Sequence, residues 1–154
     1  MLTVMRSMRW LTRTHRSLLL IILVALAAHG QMLGRGFVSD DWDWLHIGAT
    51  AQFPEYVTGN YAGVQGQGGS YRPVITLVMQ LMNAGFGLQA FWYHALSLVL
   101  LIATAVGIAH LVLLLFAAVR QREWIAWMSA LFFVLMPTHA EAVYWVAGLP
   151  DMVA

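Results

Sequence analysis

Three carboxylates stand within four positions, at Asp40, Asp41 and Asp43, and they are interleaved with Trp42 and Trp44. The segment directly follows a membrane-sized apolar run, where charge is expensive because hydrocarbon does not solvate it. Indole rings favour the boundary between lipid and water, which indicates where these residues lie. We therefore predict that this acidic segment is the working edge of a membrane enzyme.

The spacing of the first two carboxylates limits the chemistry that they can share. Asp40 and Asp41 are adjacent, so their side chains project roughly 100° apart on a helix and to opposite sides on a strand. This argues against a pair of carboxylates that shares one proton. It favours one functional aspartate, with the other capping a helix or packing. The spacing also leaves open that both are merely solvated or capping.

The other polar candidates each have a functional and a plainer interpretation. Arg72, beside the rigid Pro73, can present its fork of donors to a lipid phosphate or simply anchor the chain at the interface. His94 lies in an apolar segment, where a histidine is more often a packing residue than a ligand. His139 and Glu141 would diverge by roughly 200° on one helix, a poor spacing for two metal ligands. No metal site is required, although a divalent metal stays open.

The composition is that of a membrane protein. Hydrophobic residues make up 60% of the 154 residues and charged residues 10%, whereas a soluble domain is about half apolar and a quarter charged. We predict an all-α, polytopic transmembrane protein. The net charge of +1 gives no reason to expect a nucleic acid partner. The absence of cysteine excludes disulfides and thiolate metal sites.

The distribution of basic residues orients the predicted segments. Arginines that flank a first span stay in the cytoplasm, which places the candidate residues above on the outer side. The predicted order begins with a cytoplasmic N-terminus at 1–16, a transmembrane helix at 17–34 and an outer loop with interfacial helices at 35–89. A second span at 90–119 then leads to a cytoplasmic loop at 120–123. A third span at 124–137 is followed by an outer loop that begins a fourth helix at 138–154. A cleavable signal peptide is the competing interpretation of the first segment, because residues 25–27 resemble a cleavage site.

Two short helices are expected within the outer loop. Ser39 or Asp40 is a plausible cap for the first helix. Pro73 favours the start of the second, which we predict to run to about Asn83 before the stretch Gly85-Phe-Gly breaks it. The glycine-rich stretch between them is not a phosphate-binding P-loop, since no Gly-Lys-Ser/Thr follows.

Three stretches carry a family resemblance when their order and spacing are taken together. Residues 37–42 (FVSDDW) resemble an acidic pair in a first outer loop, and residues 71–94 resemble a run with an Arg-Pro start and a Tyr-His end. Residues 137–154 resemble a Pro-x-His-x-Glu-Ala-Val-x-Trp-x-x-Gly-Arg-x-Asp stretch, with Leu149-Pro150 in place of the Arg-containing pair. The chain thus resembles the integral-membrane glycosyltransferases of the GT-C class. The nearest likeness is to the protein O-mannosyltransferase-like branch that often carries tetratricopeptide repeats.

The resemblance implies transfer of a sugar from a polyprenyl-phosphate donor to the hydroxyl of a protein or glycan acceptor. The reaction would take place at the outer side of a bacterial cytoplasmic membrane, among membrane lipids. Asp40 would be the catalytic carboxylate, acting as general base or orienting the acceptor, with Asp41 as second choice. Arg72 would hold the donor phosphate. The residues implied to line the same pocket and orient the substrates are His94, His139 and Glu141.

The resemblance also bears on length and on the rival interpretations. The family has more transmembrane helices than 154 residues can hold, so we expect the N-terminal portion of a longer enzyme or an inactive partial copy. One rival is a non-enzymatic polytopic membrane protein, such as a transporter piece or an assembly subunit. Another is a different enzyme of lipid-linked oligosaccharides, such as a polymerase or a ligase.

Overall fold

The computed structural model describes residues 18–51, 72–138 and 143–149, and these form helices and turns without a strand. The all-α prediction is confirmed for this part of the chain. The helices are α1 (Leu18–Gly34), α2 (Asp41–Thr50), α3 (Pro73–Phe86), α4 (Ala90–Leu115) and α5 (Arg122–Leu135), followed by a 3₁₀ turn at Val146–Gly148. The last turn of α1, Gly30–Gly34, is also 3₁₀.

The described residues fall into two compact units. Unit 1 contains residues 18–31 and 98–137, and unit 2 contains residues 32–51, 72–97, 138 and 143–149. Helix α4 belongs to both, with its first turns in unit 2 and the remainder in unit 1. The carboxylates and His94 lie in unit 2.

Small side chains form most of the interior of unit 1. The buried residues there are Ile21, Ala25, Leu98, Leu101, Ala105, Ala109, Ala126, Ala130 and Val134, together with His29. Large apolar side chains are exposed instead, including Leu19, Leu23, Leu114, Trp124 and Phe132. Small residues between helices allow close backbone approach in lipid, where the acyl chains solvate large apolar side chains.

Helix α4 is the element best suited to a bilayer. It has 26 residues, and its most apolar window has a mean hydropathy of 2.7 with only 22% of that window buried. At a rise of 1.5 Å per residue its length is roughly 39 Å, more than the ~30 Å of a hydrocarbon core. Within the described ranges it is the one helix long and apolar enough to cross a membrane, whereas α1 and α3 are shorter apolar helices.

The helix boundaries differ from the sequence predictions in α3, α4 and α5. Helix α4 ends at Leu115 rather than at residue 119, and α5 spans Arg122–Leu135 rather than residues 124–137. Helix α3 was predicted to run to about Asn83 and to be broken by Gly85-Phe-Gly; it continues to Phe86, and Gly87 is its C-cap. Gly87 has a φ of 56°, a conformation that glycine adopts without the steric cost of a Cβ atom.

Helices α2 and α3 pack closely against each other in unit 2. A Cβ atom at Gly48 would lie 2.9 Å from backbone atoms of Met79, so this contact requires a glycine. Leu45, Ile75 and Met79 are buried in the same unit. The Gln80 side chain donates a hydrogen bond to the Ala51 carbonyl and so fixes the end of α2. The short α2 is therefore held by packing rather than by its own length.

The fourth helix, predicted to begin within residues 138–154, stays a prediction, because the structure describes only residue 138 and residues 143–149 of this stretch, and Leu149 there is helical. Trp145 has extended backbone angles, φ −103° and ψ 130°, and it separates a helical pair at 143–144 from the 3₁₀ turn at Val146–Gly148. His139 and Glu141, predicted to line the pocket, lie outside the described residues.

Candidate functional site

Asp41 is a fully buried carboxylate that joins two separate stretches of chain. Its Oδ2 accepts a hydrogen bond from the Val38 N–H at 2.8 Å, and its Oδ1 accepts one from the Ala147 N–H at 2.8 Å. The side chain has 0% exposure. The first bond closes the turn that enters α2, and the second ties that turn to the 3₁₀ turn 106 residues later. Both oxygens thus have a structural role.

Asp40 differs from Asp41 in its exposure and in its hydrogen bonds. It is exposed, it occupies the N-cap position of α2, and its side chain forms no capping hydrogen bond. Its Oδ1 accepts a hydrogen bond from the Ser39 hydroxyl at 2.8 Å. Ser39 has a φ of 43°, a left-handed conformation that costs a non-glycine residue about 1–3 kcal/mol. The sharp turn therefore presents one carboxylate outward and buries the other.

His94 lies in the first turns of α4, close to Asp41. Its ring has 0% exposure, and neither ring nitrogen has a hydrogen-bond partner among the residues that the structure describes. The Asp41 carboxylate and the Arg35 guanidinium both act electrostatically on the ring. A backbone hydrogen bond with Gly36 also acts on the ring, although this contact does not meet the distance and angle of a regular hydrogen bond. Buried polar atoms are nearly always paired, so an unpaired imidazole here needs an explanation.

Aromatic contacts hold the loop of residues 35–38 in place. The Phe37 ring meets the Tyr93 ring edge-on at 5.3 Å and the Trp42 ring edge-on at 5.5 Å between centroids. The Tyr93 hydroxyl donates to the Gly87 carbonyl at 2.9 Å. Phe37 thus connects the start of α2 with the start of α4, which fixes the loop that runs beside His94.

Arg35 belongs to this group, although the sequence did not single it out. Its guanidinium carbon lies 5.4 Å from the centroid of the Tyr144 ring, and the arginine is exposed. Arginine over a tyrosine face is a cation–π contact, which restrains the side chain and leaves its N–H groups available. The one signal in the sequence was that Arg35 and Arg72 are the basic residues of the predicted outer loop.

Arg72 lies in unit 2, at the N-cap of α3. It is exposed, and its carbonyl accepts hydrogen bonds from the Thr76 N–H at 3.2 Å and the Thr76 hydroxyl at 3.1 Å. In unit 2, Asp41 and Arg35 thus both act electrostatically on His94, and the exposed Asp40 stands next to Asp41 at the N-cap of α2. The structure places Arg72 at the start of another helix in the same unit.

A metal site is not apparent in the ranges described. Within residues 18–51, 72–138 and 143–149, no group of three histidine, aspartate or glutamate side chains is arranged to hold a metal ion.

Comparison of the chain with protein families, with curated proteins and with solved structures finds no match.

Proposed function

We propose that this chain is part of a polytopic membrane glycosyltransferase. In this proposal a sugar moves from a polyprenyl-phosphate donor to an acceptor hydroxyl on the outer side of the membrane. The observation that carries the proposal is the pair at the start of α2, where Asp40 is exposed while Asp41 is buried and anchored. An exposed carboxylate at the start of a helix is suited to orient or deprotonate a hydroxyl.

The surroundings of this carboxylate support a substrate that is part lipid. Helix α4 begins in the same unit as Asp40 and continues as a long apolar helix with a largely exposed surface. A donor with a polyprenyl tail can keep its chain in the bilayer while its phosphate and sugar reach the interface. The small-residue packing of unit 1 supports the same environment, since it suits helices surrounded by lipid.

The proposed reaction assigns a distinct role to each polar residue. The Asp40 carboxylate accepts the proton of the acceptor hydroxyl while the hydroxyl oxygen attacks the anomeric carbon of the sugar. The bond from that carbon to the donor phosphate breaks, and the lipid phosphate leaves with the electron pair. Arg72 stabilises the charge that develops on the phosphate. His94, with His139 and Glu141, orients donor or acceptor, and Asp41 positions the turn rather than reacting.

The test of this function is a transfer assay with the Asp40→Asn variant. The protein, reconstituted in lipid, is supplied with a radiolabelled polyprenyl-phosphate sugar and its membrane acceptors. We expect a loss of transfer of about 100-fold or more, as for removal of a general base. Asp43→Asn, an exposed neighbour in the same turn, is the matched control.

Two results would contradict the proposal. Normal transfer by Asp40→Asn removes the role of that carboxylate. Absence of any transfer by the wild-type protein, with every polyprenyl-linked sugar supplied, favours the non-enzymatic alternative, in which the buried Asp41 is simply a structural link.

A further inference from the structure

We propose that Arg35, held against Tyr144, binds the phosphate group of a phosphate ester at the outer site of unit 2. This inference rests on the proposed function, which it deepens by naming a second phosphate-binding residue besides Arg72. The main supporting observation is a cation–π contact, in which the guanidinium carbon of Arg35 lies 5.4 Å from the centroid of the Tyr144 ring.

This contact restrains the arginine side chain and leaves it able to bind an anion. A guanidinium held over an aromatic ring keeps several N–H donors, and these suit a two-pronged contact with phosphate oxygens. Arg35 is exposed, and no carboxylate among the described residues forms an ion pair with it. The nearby Asp41 carboxylate already accepts hydrogen bonds from two backbone N–H groups. Within the described ranges the guanidinium thus has no carboxylate partner, which leaves its donors open to an external anion.

The unpartnered ring of His94 is a second, independent observation that indicates a polar ligand. The ring is fully buried and has no hydrogen-bond partner among the described residues, yet Arg35 and Gly36 both act on it. Both residues belong to the loop of residues 35–38, so this loop and the ring interact electrostatically. Leaving a buried donor or acceptor unpaired costs about 1–3 kcal/mol, and a phosphate oxygen entering beside Arg35 would give a ring N–H its acceptor.

The exposed position of Arg35 favours a phosphate carried by a lipid over a free phosphate ion. Arg35 follows directly on α1, an apolar helix that begins at Leu18. The residue thus lies where a helix with an apolar surface gives way to the polar turn of Asp40. A phosphate at the head of a polyprenyl chain occupies the same boundary between apolar and polar surroundings.

The experiment measures binding rather than transfer. The 154-residue chain is placed in nanodiscs of phosphatidylcholine, and its affinity for a fluorescent short-chain polyprenyl phosphate is titrated. We expect Arg35→Gln to weaken binding at least about tenfold, the usual value of a charge-assisted hydrogen bond. Arg35→Lys keeps the charge but not the fork, so we expect a loss of a few fold. Tyr144→Phe keeps the ring and should bind as wild type, while Tyr144→Leu should bind more weakly.

Arg120→Gln is the matched control, because Arg120 is an exposed arginine of unit 1. The inference is overturned if Arg35→Gln and Arg35→Lys both bind as wild type, or if Arg120→Gln weakens binding as much as Arg35→Gln. Inorganic phosphate and pyrophosphate are added as competitors. Failure to compete assigns the site to the lipid-borne phosphate, whereas full competition would overturn the preference for a lipid source.

The outcome is separate from that of the transfer assay. A loss of binding in Arg35→Gln supports the phosphate site even if Asp40→Asn transfers sugar normally and the catalytic proposal fails. Normal binding by Arg35→Gln removes the site even if Asp40 proves essential.

Discussion

Unit 1 buries mainly alanine and exposes leucine, phenylalanine and tryptophan, whereas unit 2 buries Asp41, Thr76, His94 and Ser97. In water, large apolar side chains are the ones that burial favours most. Unit 1 shows the reverse arrangement, which is stable when acyl chains surround the helices. Unit 2 also buries apolar side chains, among them Leu45, Ile75 and Met79, but it places these four polar residues beside them. The two units thus differ in the polar groups that they bury, and not in having an apolar interior.

Each unit has a buried polar side chain that links elements distant in sequence. In unit 2, Asp41 accepts hydrogen bonds from Val38 and Ala147. In unit 1, His29 donates from Nε2 to the Val134 carbonyl at 2.9 Å, which connects α1 with α5. The two links allow the comparison to be tested by removing one polar group at a time.

The largest effect is expected for Asp41→Ala. The change leaves the N–H groups of Val38 and Ala147 without their acceptor, and hydrogen bonds to a charged group contribute about 1.5–3 kcal/mol each. We expect the free energy of unfolding to fall by about 3 kcal/mol or more, measured by denaturation in detergent micelles.

Asp43→Ala is the control for Asp41→Ala. It removes an exposed carboxylate from the first turn of α2. Its interaction with the helix dipole contributes about 1 kcal/mol or less. Equal losses of stability in the two variants would show that Asp41 is not the link we describe.

A smaller effect is expected for His29→Leu in unit 1. Hydrogen bonds between helices in a membrane contribute about 0.6 kcal/mol on average and up to about 2 kcal/mol. The unfolding free energy should therefore fall by less than in Asp41→Ala. His110→Leu, at an exposed position of α4, should have almost no effect. A loss for His29→Leu as large as that for Asp41→Ala would contradict the contrast between the units.

The sequence predicted the elements of this fold better than it predicted the contacts between them. Helix α4 was predicted to start at its observed residue, Ala90, because its apolar run is long and uninterrupted. The end of α3 was misplaced because a glycine inside a helix costs only about 1 kcal/mol. Gly85 is accommodated within the helix, and Gly87 ends it.

The candidate site depends on pairings that spacing along the chain does not contain. Because Asp40 and Asp41 are neighbours in sequence, their side chains were predicted to point in different directions. The sequence did not indicate which of the two is buried. That choice depends on the Ala147 N–H, 106 residues away. Arg35 was missed for the same reason, since its partner Tyr144 lies in the last described stretch. The roles implied for His139 and Glu141 stay predictions.

The exposed surface of α4 is the feature to test most directly, because it lies in lipid if unit 1 is embedded in a membrane. The chain has no cysteine, so a single cysteine can be introduced at Ala103, an exposed position near the middle of α4 in unit 1. Ala49→Cys, at an exposed position of α2 in unit 2, is the matched control. Open membrane sheets are treated with a charged maleimide that reaches both faces but does not enter lipid.

We expect the cysteine at position 49 to react rapidly and the cysteine at position 103 to react only after the membrane is dissolved. That result places the exposed surface of α4 in the bilayer and the exposed surface of α2 in water. Equal reaction rates at the two positions in intact membranes would contradict the account.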